Sequence, residues 1–312
     1  MKVLFTGASS FTGYWFVKVL TDDGYDLTCT FTKQSENDYT GIRKQRVTEL
    51  MKRVTPVWGC SFGDQRFLDL IKQGFTVLCH HAADVTNYKS QDFNIASAFQ
   101  NNTRNMPQVL DSLASSGCNT IVLTGSVFEN DEGTGSLPLT AFSPYGLSKS
   151  FTSQAFIYFT EAYKISLGKF VIPNPFGPFE DPRFTSYLVK SWFQKTIPAV
   201  KTPAYVRDNI HVDLLALAYK DFLENCLRDH PGIIKFNPSG YVESQGAFAL
   251  RVASEFGTRL HMKCEVKLEK QVIFPEPAIR INTQPVSLQY DWDEENAWNE
   301  FADFYNNHKE YL

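Results

Sequence analysis

The sequence has no cysteine or histidine grouping with the spacing of a metal site, although it contains six cysteines. No CxxC pair occurs, and the cysteines are scattered at positions 29, 60, 79, 118, 226 and 264. Isolated thiols in apolar stretches are typical of buried, free cysteines in a reducing compartment. We therefore expect free thiols and no bound metal.

Long apolar runs are also missing, since none approaches the about 20 residues that a membrane-spanning helix needs. The first apolar run, Val3–Phe5, is too short for a secretion signal. The sequence contains no internal repeat and no low-complexity tract. These absences predict a cytoplasmic protein without a membrane partner.

An excess of positive charge is lacking as well. The chain carries 30 Lys and Arg against 34 Asp and Glu, a net charge of −4. General nucleic-acid binding depends on neutralising phosphates, so we expect no nucleic-acid partner. This balance still permits one basic pocket for a single anionic substrate. The 312 residues, 43% of them apolar, suffice for one large or two smaller globular domains.

Short apolar strands alternate with helices in the first half of the chain. We predict strands at 2–6, 26–32, 56–59, 75–80, 119–124 and 169–173, and helices at 13–20, 40–53, 66–72, 93–115 and 145–163. The later part contains predicted helices at 184–195, 211–226, 244–256 and 294–308 and strands at 232–236 and 262–268. The alternation predicts an α/β, Rossmann-type doubly wound parallel sheet. We predict a main domain at 1–173, to which 211–236 returns, and a smaller, mostly C-terminal domain at 174–210 and 237–312.

The first strand turns into a helix through Thr6-Gly7-Ala8-Ser9-Ser10-Phe11-Thr12-Gly13. Such a turn presents free N–H groups and the positive end of a helix dipole to the phosphates of a dinucleotide. Gly7 permits the turn and Gly13 permits close helix packing, while Ser10 replaces the middle glycine of the usual fingerprint. We assign cofactor binding to Gly7, Ser9, Ser10, Phe11, Thr12 and Gly13. The alternative is an ordinary strand–helix turn.

The second predicted strand ends without the acidic residue that usually holds the ribose 2′-hydroxyl of NAD. Thr32 and Lys33 stand at this end. A hydroxyl and a cation suit a 2′-phosphate, and Arg43 is the second candidate cation. We therefore expect NADP as the cofactor, with NAD as the alternative.

Tyr145 and Lys149 lie four residues apart on a predicted helix and so share one face. A neighbouring ammonium lowers the pKa of a tyrosine below its usual value of about 10. The phenol can then exchange a proton with a substrate oxygen, and the lysine can also hold the cofactor's ribose. Thr124, at the end of the preceding strand, is positioned to hold the same oxygen, and Ser126 is the second candidate. Thr124, Tyr145 and Lys149 are therefore our candidate catalytic residues for hydride chemistry.

Together these motifs resemble the extended short-chain dehydrogenase/reductase family, in its nucleotide-sugar epimerase/dehydratase/reductase branch. The glycine turn is similar to the family's TGxxGxxG, and Tyr145 with Lys149 to its YxxxK pair. Cys79-His80-His81-Ala82-Ala83 resembles HxAA, which implies that Ala82 and Ala83 line the cofactor. Asn102 falls at the family's helix asparagine and is assigned to the cofactor site. The resemblance implies an NAD(P)-binding main domain, a substrate-binding second domain and a homodimer.

Two later segments resemble the family's substrate motifs. Pro173–Pro178 is similar to N-x-[YF]-G-P, which implies that Asn174 contacts the diphosphate or sugar. The segment from Arg207 resembles R-D-x-I-H-V, which implies that Arg207 holds the diphosphate. We expect Arg207 to precede a turn rather than to lie in a core strand. Further candidates for substrate binding are Ser126, Arg183 and Arg280, and the implied partner is a nucleotide-diphosphate sugar.

The residues after Thr124 narrow the reaction. Gly125 and Ser126 stand where the family's 4,6-dehydratases have Asp-Glu, and Phe179 stands near where its 3,5-epimerase/reductases have a histidine. Two reactions remain. One is NADPH-dependent reduction of the 4-keto group of a nucleotide-linked 6-deoxy sugar, favoured by the missing acid of the second strand. The other is C4 epimerisation with NAD. A catalytically silent dinucleotide-binding regulator would not need all three catalytic residues. The base, the sugar and the C4 configuration stay open.

Overall fold

The computed structural model describes residues 1–88, 90–228 and 232–311. The strands are β1 Lys2–Thr6, β2 Asp26–Phe31, β3 Thr55–Trp58, β4 Val77–His80, β5 Thr120–Ser126, β6 Thr134–Gly135, β7 Ser166–Ile172, β8 Asn174–Phe176, β9 Ala199–Val200, β10 Val206–His211, β11 Ile233–Phe236, β12 Pro238–Ser239, β13 Tyr241–Ser244, β14 Lys267–Leu268, β15 Ile279–Ile281 and β16 Gln284–Pro285. The α-helices are α1 Phe11–Asp22, α2 Gly41–Leu50, α3 Gln65–Ile71, α4 Ile95–Asn102, α5 Met106–Ser115, α6 Pro144–Tyr163, α7 Phe184–Phe193, α8 Val212–Cys226, α9 Gln245–Leu260 and α10 Glu294–Asn307. Short 3-10 helices cover Glu36–Asp38 and Lys309–Tyr311.

A seven-stranded sheet, in the order β11-β7-β5-β4-β1-β2-β3, forms the centre of the first of two compact units. This unit contains Met1–Glu132, Thr140–Ile172 and Ala216–Asn237. Every pairing in the sheet is parallel. The predicted doubly wound α/β fold is therefore confirmed. The strand order reverses beside β1, and ligands of such sheets bind where the strands end at this switch point.

Side chains alternate along each buried strand, so apolar side chains project from both faces of this sheet. Helices cover both faces. Leu4 faces an apolar cluster that includes residues of α3, α5 and α6. Phe5 points the other way, with its ring 6.4 Å from that of Tyr219 in α8. Tyr219 in turn stacks on Phe16 of α1 at 4.0 Å. The apolar strands thus hold α1 and α6 against opposite faces of the sheet.

The second unit contains Gly133–Leu139, Pro173–Leu215 and the chain from Pro238 onward. Its main sheet has the order β13-β10-β15-β6, and β8 pairs with β10. The core around Phe176 brings its ring 5.1 Å from Phe248 of α9 and 5.2 Å from Trp298 of α10. The dinucleotide-binding and substrate-binding roles of the two parts stay predictions.

Two predicted elements differ from the structure. The helix expected at 93–115 is divided into α4 and α5, because Asn105 adopts a left-handed φ of 50°. Its side-chain amide donates to Gly63 O at 2.9 Å, which stabilises the break. The strand expected at 262–268 is reduced to β14. No residue of that stretch is fully buried, so apolar burial cannot hold a longer strand there.

No helix in the described ranges is long and apolar enough to cross a membrane. Within the same residues, no group of His, Cys, Asp and Glu side chains is arranged to hold a metal ion. All six cysteines are free, and Cys264 alone among them is not fully buried.

Candidate active site

The glycine turn is closed by the side chain of Ser10, which is the N-cap of α1. Its hydroxyl donates to Gly7 O at 2.9 Å and accepts from Gly13 N at 3.1 Å. Gly7 has a φ of +84°, and a Cβ there would lie 2.7 Å from Ala82 N. The serine at the middle position therefore caps the helix, a role that serine performs well, and its side chain is directed into the turn.

Ser9 is the point at which α2 contacts this turn. Arg43 donates to the Ser9 hydroxyl through Nη2 at 2.8 Å, and its guanidinium lies 5.4 Å from the ring of Tyr39. The fully buried Arg46 donates to Ser9 O at 3.1 Å. Thr32 and Lys33 are exposed beyond the end of β2. The structure thus brings Arg43, the second candidate cation, to the turn.

The segment after β4 lies beside the glycine turn. Ala82 N donates to the Thr6 hydroxyl at 3.0 Å, which ties this segment to the end of β1; Ala82 and Ala83 are half-buried. Asn102 is buried at the end of α4 and accepts from Asp84 N at 2.9 Å. Its amide also donates to Thr152 of α6 at 3.3 Å. As placed, Asn102 supports the loop that follows Ala83.

The three candidate catalytic residues come from β5 and α6. Ser143 caps α6 by accepting from Gly146 N at 3.0 Å, so Tyr145 lies in the first helical turn. Tyr145 is half-buried, with its ring edge-on to Tyr88 at 5.5 Å. Lys149 is 3% exposed and donates through Nζ to Thr124 O at 2.6 Å. Helix α6 therefore places the buried Lys149 ammonium at Thr124 of β5, one helical turn along from Tyr145.

Burial is the main influence on Lys149, and it lowers the pKa of this ammonium to about 8. The carboxylate of Glu129 acts in the opposite direction and raises the pKa, while the positive charge of Lys169 lowers it. Lys149 therefore loses its charge at a lower pH than an exposed lysine does.

A buried ionic cluster lies below this site, and sequence reasoning missed it. We call Glu129, Glu132 and Lys169 the buried triad. Lys169 of β7 donates to Glu129 at 2.6 Å and to Glu132 at 2.7 Å, and at most 5% of each of the three residues is exposed. The signal that could have found it is a lysine inside the otherwise apolar strand Ser166–Ile172, since an unpaired buried charge is too costly to occur.

The buried triad also determines the surroundings of Gly125 and Ser126. Ser126 N donates to Glu129 at 2.7 Å, and the Ser126 hydroxyl accepts from Phe128 N at 3.2 Å. A Cβ at position 125 would lie 2.7 Å from Lys169 Cε. Ser126 therefore holds the end of β5, and a side chain at position 125 would have to displace the Lys169 side chain.

The candidate substrate residues Asn174, Arg183, Arg207 and Arg280 all lie in the second unit. Asn174 donates to Asp208 O at 3.1 Å. Arg183 is the N-cap residue of α7. Arg207 and Arg280 are register partners in the parallel strands β10 and β15, so their side chains leave the sheet on the same face. Arg280 is fully buried.

The expectation that Arg207 precedes a turn was wrong, because Arg207 lies within β10. Its guanidinium donates to Pro277 O at 2.9 Å and to Glu276 at 3.0 Å, and it lies 4.4 Å from the ring of Tyr205. The strand was missed because Asp208 interrupts its apolar pattern. Asp208 is fully buried, and its carboxylate accepts from Gly240 N at 2.8 Å.

Comparison with known proteins gives one family match. The profile of the NAD dependent epimerase/dehydratase family matches residues 3–235, which confirms the resemblance found in the sequence. A comparison with curated protein sequences finds no match.

Several solved structures share the fold along the whole chain. A UDP-glucose-4-epimerase from Stenotrophomonas maltophila, with NAD and formylated UDP-arabinopyranose, is 18% identical with a TM-score of 0.77, covering 100% of both chains. A UDP-glucuronic acid 4-epimerase from Bacillus cereus, with UDP-glucuronic acid and NAD, is 17% identical with a TM-score of 0.74, covering 98% of this chain and 99% of that one. A UDP-glucose 4-epimerase from Thermotoga maritima, with UDP-glucose, is 15% identical with a TM-score of 0.75, covering 99% and 100%. At these identities the likeness shows the fold.

Proposed function

The chain belongs to the NAD-dependent epimerase/dehydratase family, and on that premise we propose that it is a nucleotide-sugar 4-epimerase that uses NAD. The sequence placed NADPH-dependent 4-keto reduction first and epimerisation second. The similar structures bear the names of UDP-sugar 4-epimerases, two of them with NAD bound, and this supports the second reaction. The observation that carries the proposal is the buried Lys149 ammonium, 2.6 Å from Thr124 O and one helical turn from Tyr145.

The turn between β1 and α1 fits a dinucleotide. Glycine is required there, because a Cβ at Gly7 would lie 2.7 Å from Ala82 N and one at Gly13 would lie 2.3 Å from Gly7 O. The chain can therefore bring a helix N-terminus and a side-chain-free backbone close to a diphosphate. When bound, the nicotinamide supplies a position that accepts a hydride and returns it.

Three side chains act on the C4 oxygen of the sugar in this proposal. Tyr145 takes the proton of the 4-hydroxyl while C4 loses its hydride, and returns that proton when the hydride comes back to the opposite face. Thr124 holds the same oxygen through its hydroxyl. Lys149 keeps a positive charge near the phenol, which favours the phenolate that must form. One proton and one hydride leave and return, so no net oxidation occurs.

We propose that Arg207 and Arg280 attract the diphosphate of the substrate. Their register places two guanidinium-bearing residues side by side on one face of a sheet, an arrangement that favours a dianion. Direct contact falls to Arg207, because the planar fork of an arginine binds phosphate oxygens in pairs, whereas the fully buried Arg280 contributes positive charge beside it. Asn174, Arg183 and Ser126 remain the further candidates for contacts with the substrate.

The test uses pairs of UDP-sugars that differ only at C4. Purified protein is incubated with NAD and either member of the UDP-glucose, UDP-N-acetylglucosamine or UDP-glucuronic acid pair, and the sugars are separated by chromatography. We expect the same final mixture from either member of one pair, without net gain of reduced nicotinamide absorbance. Absence of conversion in every pair would reject the proposal.

A specific observation favours one other function, NADPH-dependent reduction of a 4-keto sugar. The residues directly after β2, Thr32 and Lys33, carry no carboxylate, and Arg43 lies at the Ser9 hydroxyl, where a cation would attract a 2′-phosphate. Fluorescence titration with NADPH and NADH separates the two cofactors. If NADPH binds more tightly, Arg43→Ala should remove the preference and Lys33→Ala, at an exposed position, should preserve it. If the protein then oxidises NADPH when a nucleotide-linked 4-keto sugar is added, 4-keto reduction would replace epimerisation as the proposed function.

We also propose a homodimer formed through α6. Phe151 and Tyr158 are 46% and 68% exposed on that helix, and exposed aromatic residues favour protein contacts. Light scattering should give twice the 35.5 kDa mass of the chain, and charged substitutions at both positions should restore the monomer.

A further inference from the structure

His81 connects Thr124 with the first turn of α1. His80, the last residue of β4, pairs with Leu123 in the parallel register of β4 and β5, so His81 falls beside Thr124. His81 Nδ1 lies 2.9 Å from the Thr124 hydroxyl oxygen. Its Nε2 lies 3.0 Å from the Ser10 hydroxyl and 3.1 Å from the Thr12 hydroxyl. One imidazole therefore lies between the proposed catalytic hydroxyl and the cofactor turn.

The ring is neutral at physiological pH. His81 is 8% exposed, and burial, reinforced by the charge of Lys149, lowers the pKa of this imidazole to about 3. A neutral imidazole has one N–H donor and one acceptor nitrogen. The tautomer thus decides whether the Thr124 hydroxyl accepts a hydrogen bond from His81 Nδ1–H or donates its own proton to a bare Nδ1.

The neighbouring hydroxyls select the tautomer. Ser10 has one hydroxyl proton, which it can give either to Gly7 O at 2.9 Å or to His81 Nε2 at 3.0 Å, so its contact with the ring is compatible with a bare Nε2. Thr12 is 6% exposed, and in the described part of the chain His81 Nε2 is the one hydrogen-bond partner of its hydroxyl. A buried hydroxyl without an acceptor is costly, so Thr12 donates to Nε2. That nitrogen must then be unprotonated, and the proton of the ring lies on Nδ1.

We propose that His81 is a positioning residue that donates from Nδ1 to the Thr124 hydroxyl oxygen and so leaves the Thr124 proton for the C4 oxygen of the substrate. This role rests on the proposed function, since it serves the same hydroxyl. The opposite tautomer would direct the Thr124 proton into the protein and leave only a lone pair for the substrate.

Nitrogen-15 NMR of histidine-labelled protein, without substrate, reads the tautomer directly. Long-range proton–nitrogen spectra distinguish a protonated ring nitrogen from a bare one, and loss of one set of signals in His81→Asn assigns them. We expect a protonated Nδ1 and a bare Nε2. Thr12→Val removes the hydroxyl that donates to Nε2, so the population of the Nε2–H tautomer should increase. Thr160→Val, which removes a buried hydroxyl that donates to Phe156 O within α6, should leave the signals unchanged.

Kinetics supplies the second measurement. An asparagine amide can occupy the place of Nδ1–H, whereas a glutamine amide reaches the place of Nε2. We expect His81→Gln to lower kcat roughly 10-fold or more with little change in KM, since a transition-state contact is lost. His81→Asn should retain several-fold more activity than His81→Gln. Melting temperature and cofactor titration confirm that both variants fold.

The two measurements fail separately. An Nε2–H tautomer, or equal kcat values for His81→Gln and the unmodified protein, would overturn the positioning role even in an active epimerase. A protein with the Nδ1–H tautomer that converts no nucleotide sugar would instead overturn the proposed function.

Discussion

Lys149 shows how one buried charge sets the working range of the proposed site. Its ammonium is 3% exposed and donates to Thr124 O, and burial lowers its pKa to about 8. The charged form is the one that stabilises a Tyr145 phenolate. This charge is present below the lowered pKa and is lost as pH rises through it.

The pH dependence of the proposed reaction follows from this sign. We expect kcat/KM to fall as pH rises above about 8, the pKa that burial gives Lys149. Glu129→Gln removes the carboxylate that raises this pKa, so the fall should begin at a lower pH. A profile that stays flat up to the pKa of an ordinary exposed lysine would contradict the role given to Lys149.

Tyr145 gives the second prediction at the residue scale. Tyr145→Phe removes the hydroxyl that exchanges the proton, and we expect kcat to fall at least about 10²-fold, the usual contribution of a positioned acid or base. NAD affinity and melting temperature should change little. Tyr158→Phe, at a 68% exposed position of the same helix, is the matched control and should keep full activity. Near-normal turnover of Tyr145→Phe would exclude it as the proton donor.

At the scale of single elements, β7 owes its position in the sheet partly to the buried triad. Lys169 is the shared partner of Glu129 and Glu132, and the two carboxylates raise its pKa against the opposing effect of burial. Lys169→Met would leave two buried carboxylates without that cation. We expect a loss of about 3–5 kcal/mol in the free energy of unfolding, measured by urea denaturation.

Lys235 offers a matched control for that loss. It also contacts Glu132, at 3.1 Å, but 46% of its side chain is exposed. Lys235→Met should therefore cost about 0–1 kcal/mol, as exposed ion pairs usually do. Adding Glu129→Gln and Glu132→Gln to Lys169→Met should recover part of the stability. If Lys169→Met and Lys235→Met lowered the free energy of unfolding equally, burial would not be the reason that the buried triad stabilises the fold.

The strand β10 carries the prediction for the substrate. Arg207→Ala should weaken binding of a nucleotide diphosphate by about 1.5–3 kcal/mol, the range for bonds to charged groups, and leave NAD affinity unchanged. Glu276→Gln should strengthen it, because the diphosphate no longer competes with a carboxylate for Arg207. Calorimetric titration with UDP, GDP, CDP and dTDP measures both effects and ranks the bases.

Controls for this titration come from the same unit. Arg251 is also paired with a glutamate and lies 4.7 Å from an aromatic ring, so Arg251→Ala tests for a general effect of losing charge. Arg207 itself bonds the backbone beside β15, and its removal will lower the melting temperature somewhat. Unchanged UDP affinity in a folded Arg207→Ala protein would remove Arg207 from the site.

At the scale of the whole molecule, ligand binding should be visible as added stability. A ligand that binds only the folded chain at 100 times its Kd adds about 2.7 kcal/mol to the free energy of unfolding. We expect NAD and UDP each to raise the melting temperature. Arg207→Ala should retain the shift caused by NAD and lose most of the shift caused by UDP. A chain stabilised by neither ligand would contradict both binding assignments.

The sequence by itself determined the fold class and the candidate catalytic residues. Apolar strands alternating with helices require a parallel sheet covered on both faces, and this depends only on local pattern and burial. The spacing of Tyr145 and Lys149 places them on one helical face whatever surrounds them. Gly7 and Gly13 likewise predict a tight turn between a strand and a helix. Such features are encoded within a few neighbouring residues, so they can be read without a structure.

Only the tertiary structure decided which polar side chains meet. The sequence ranked Lys33 above Arg43, treated Arg207 as a residue before a turn and gave no role to His81 or Lys169. Each of these depends on contacts between residues far apart in the chain, such as Thr124 with His81 and Glu129 with Lys169. Strand register sets these contacts, and register results from the packing of the whole sheet rather than from local preference. The physical reason is that a buried polar group needs a hydrogen-bond or ionic partner, and the fold decides which residue that partner is.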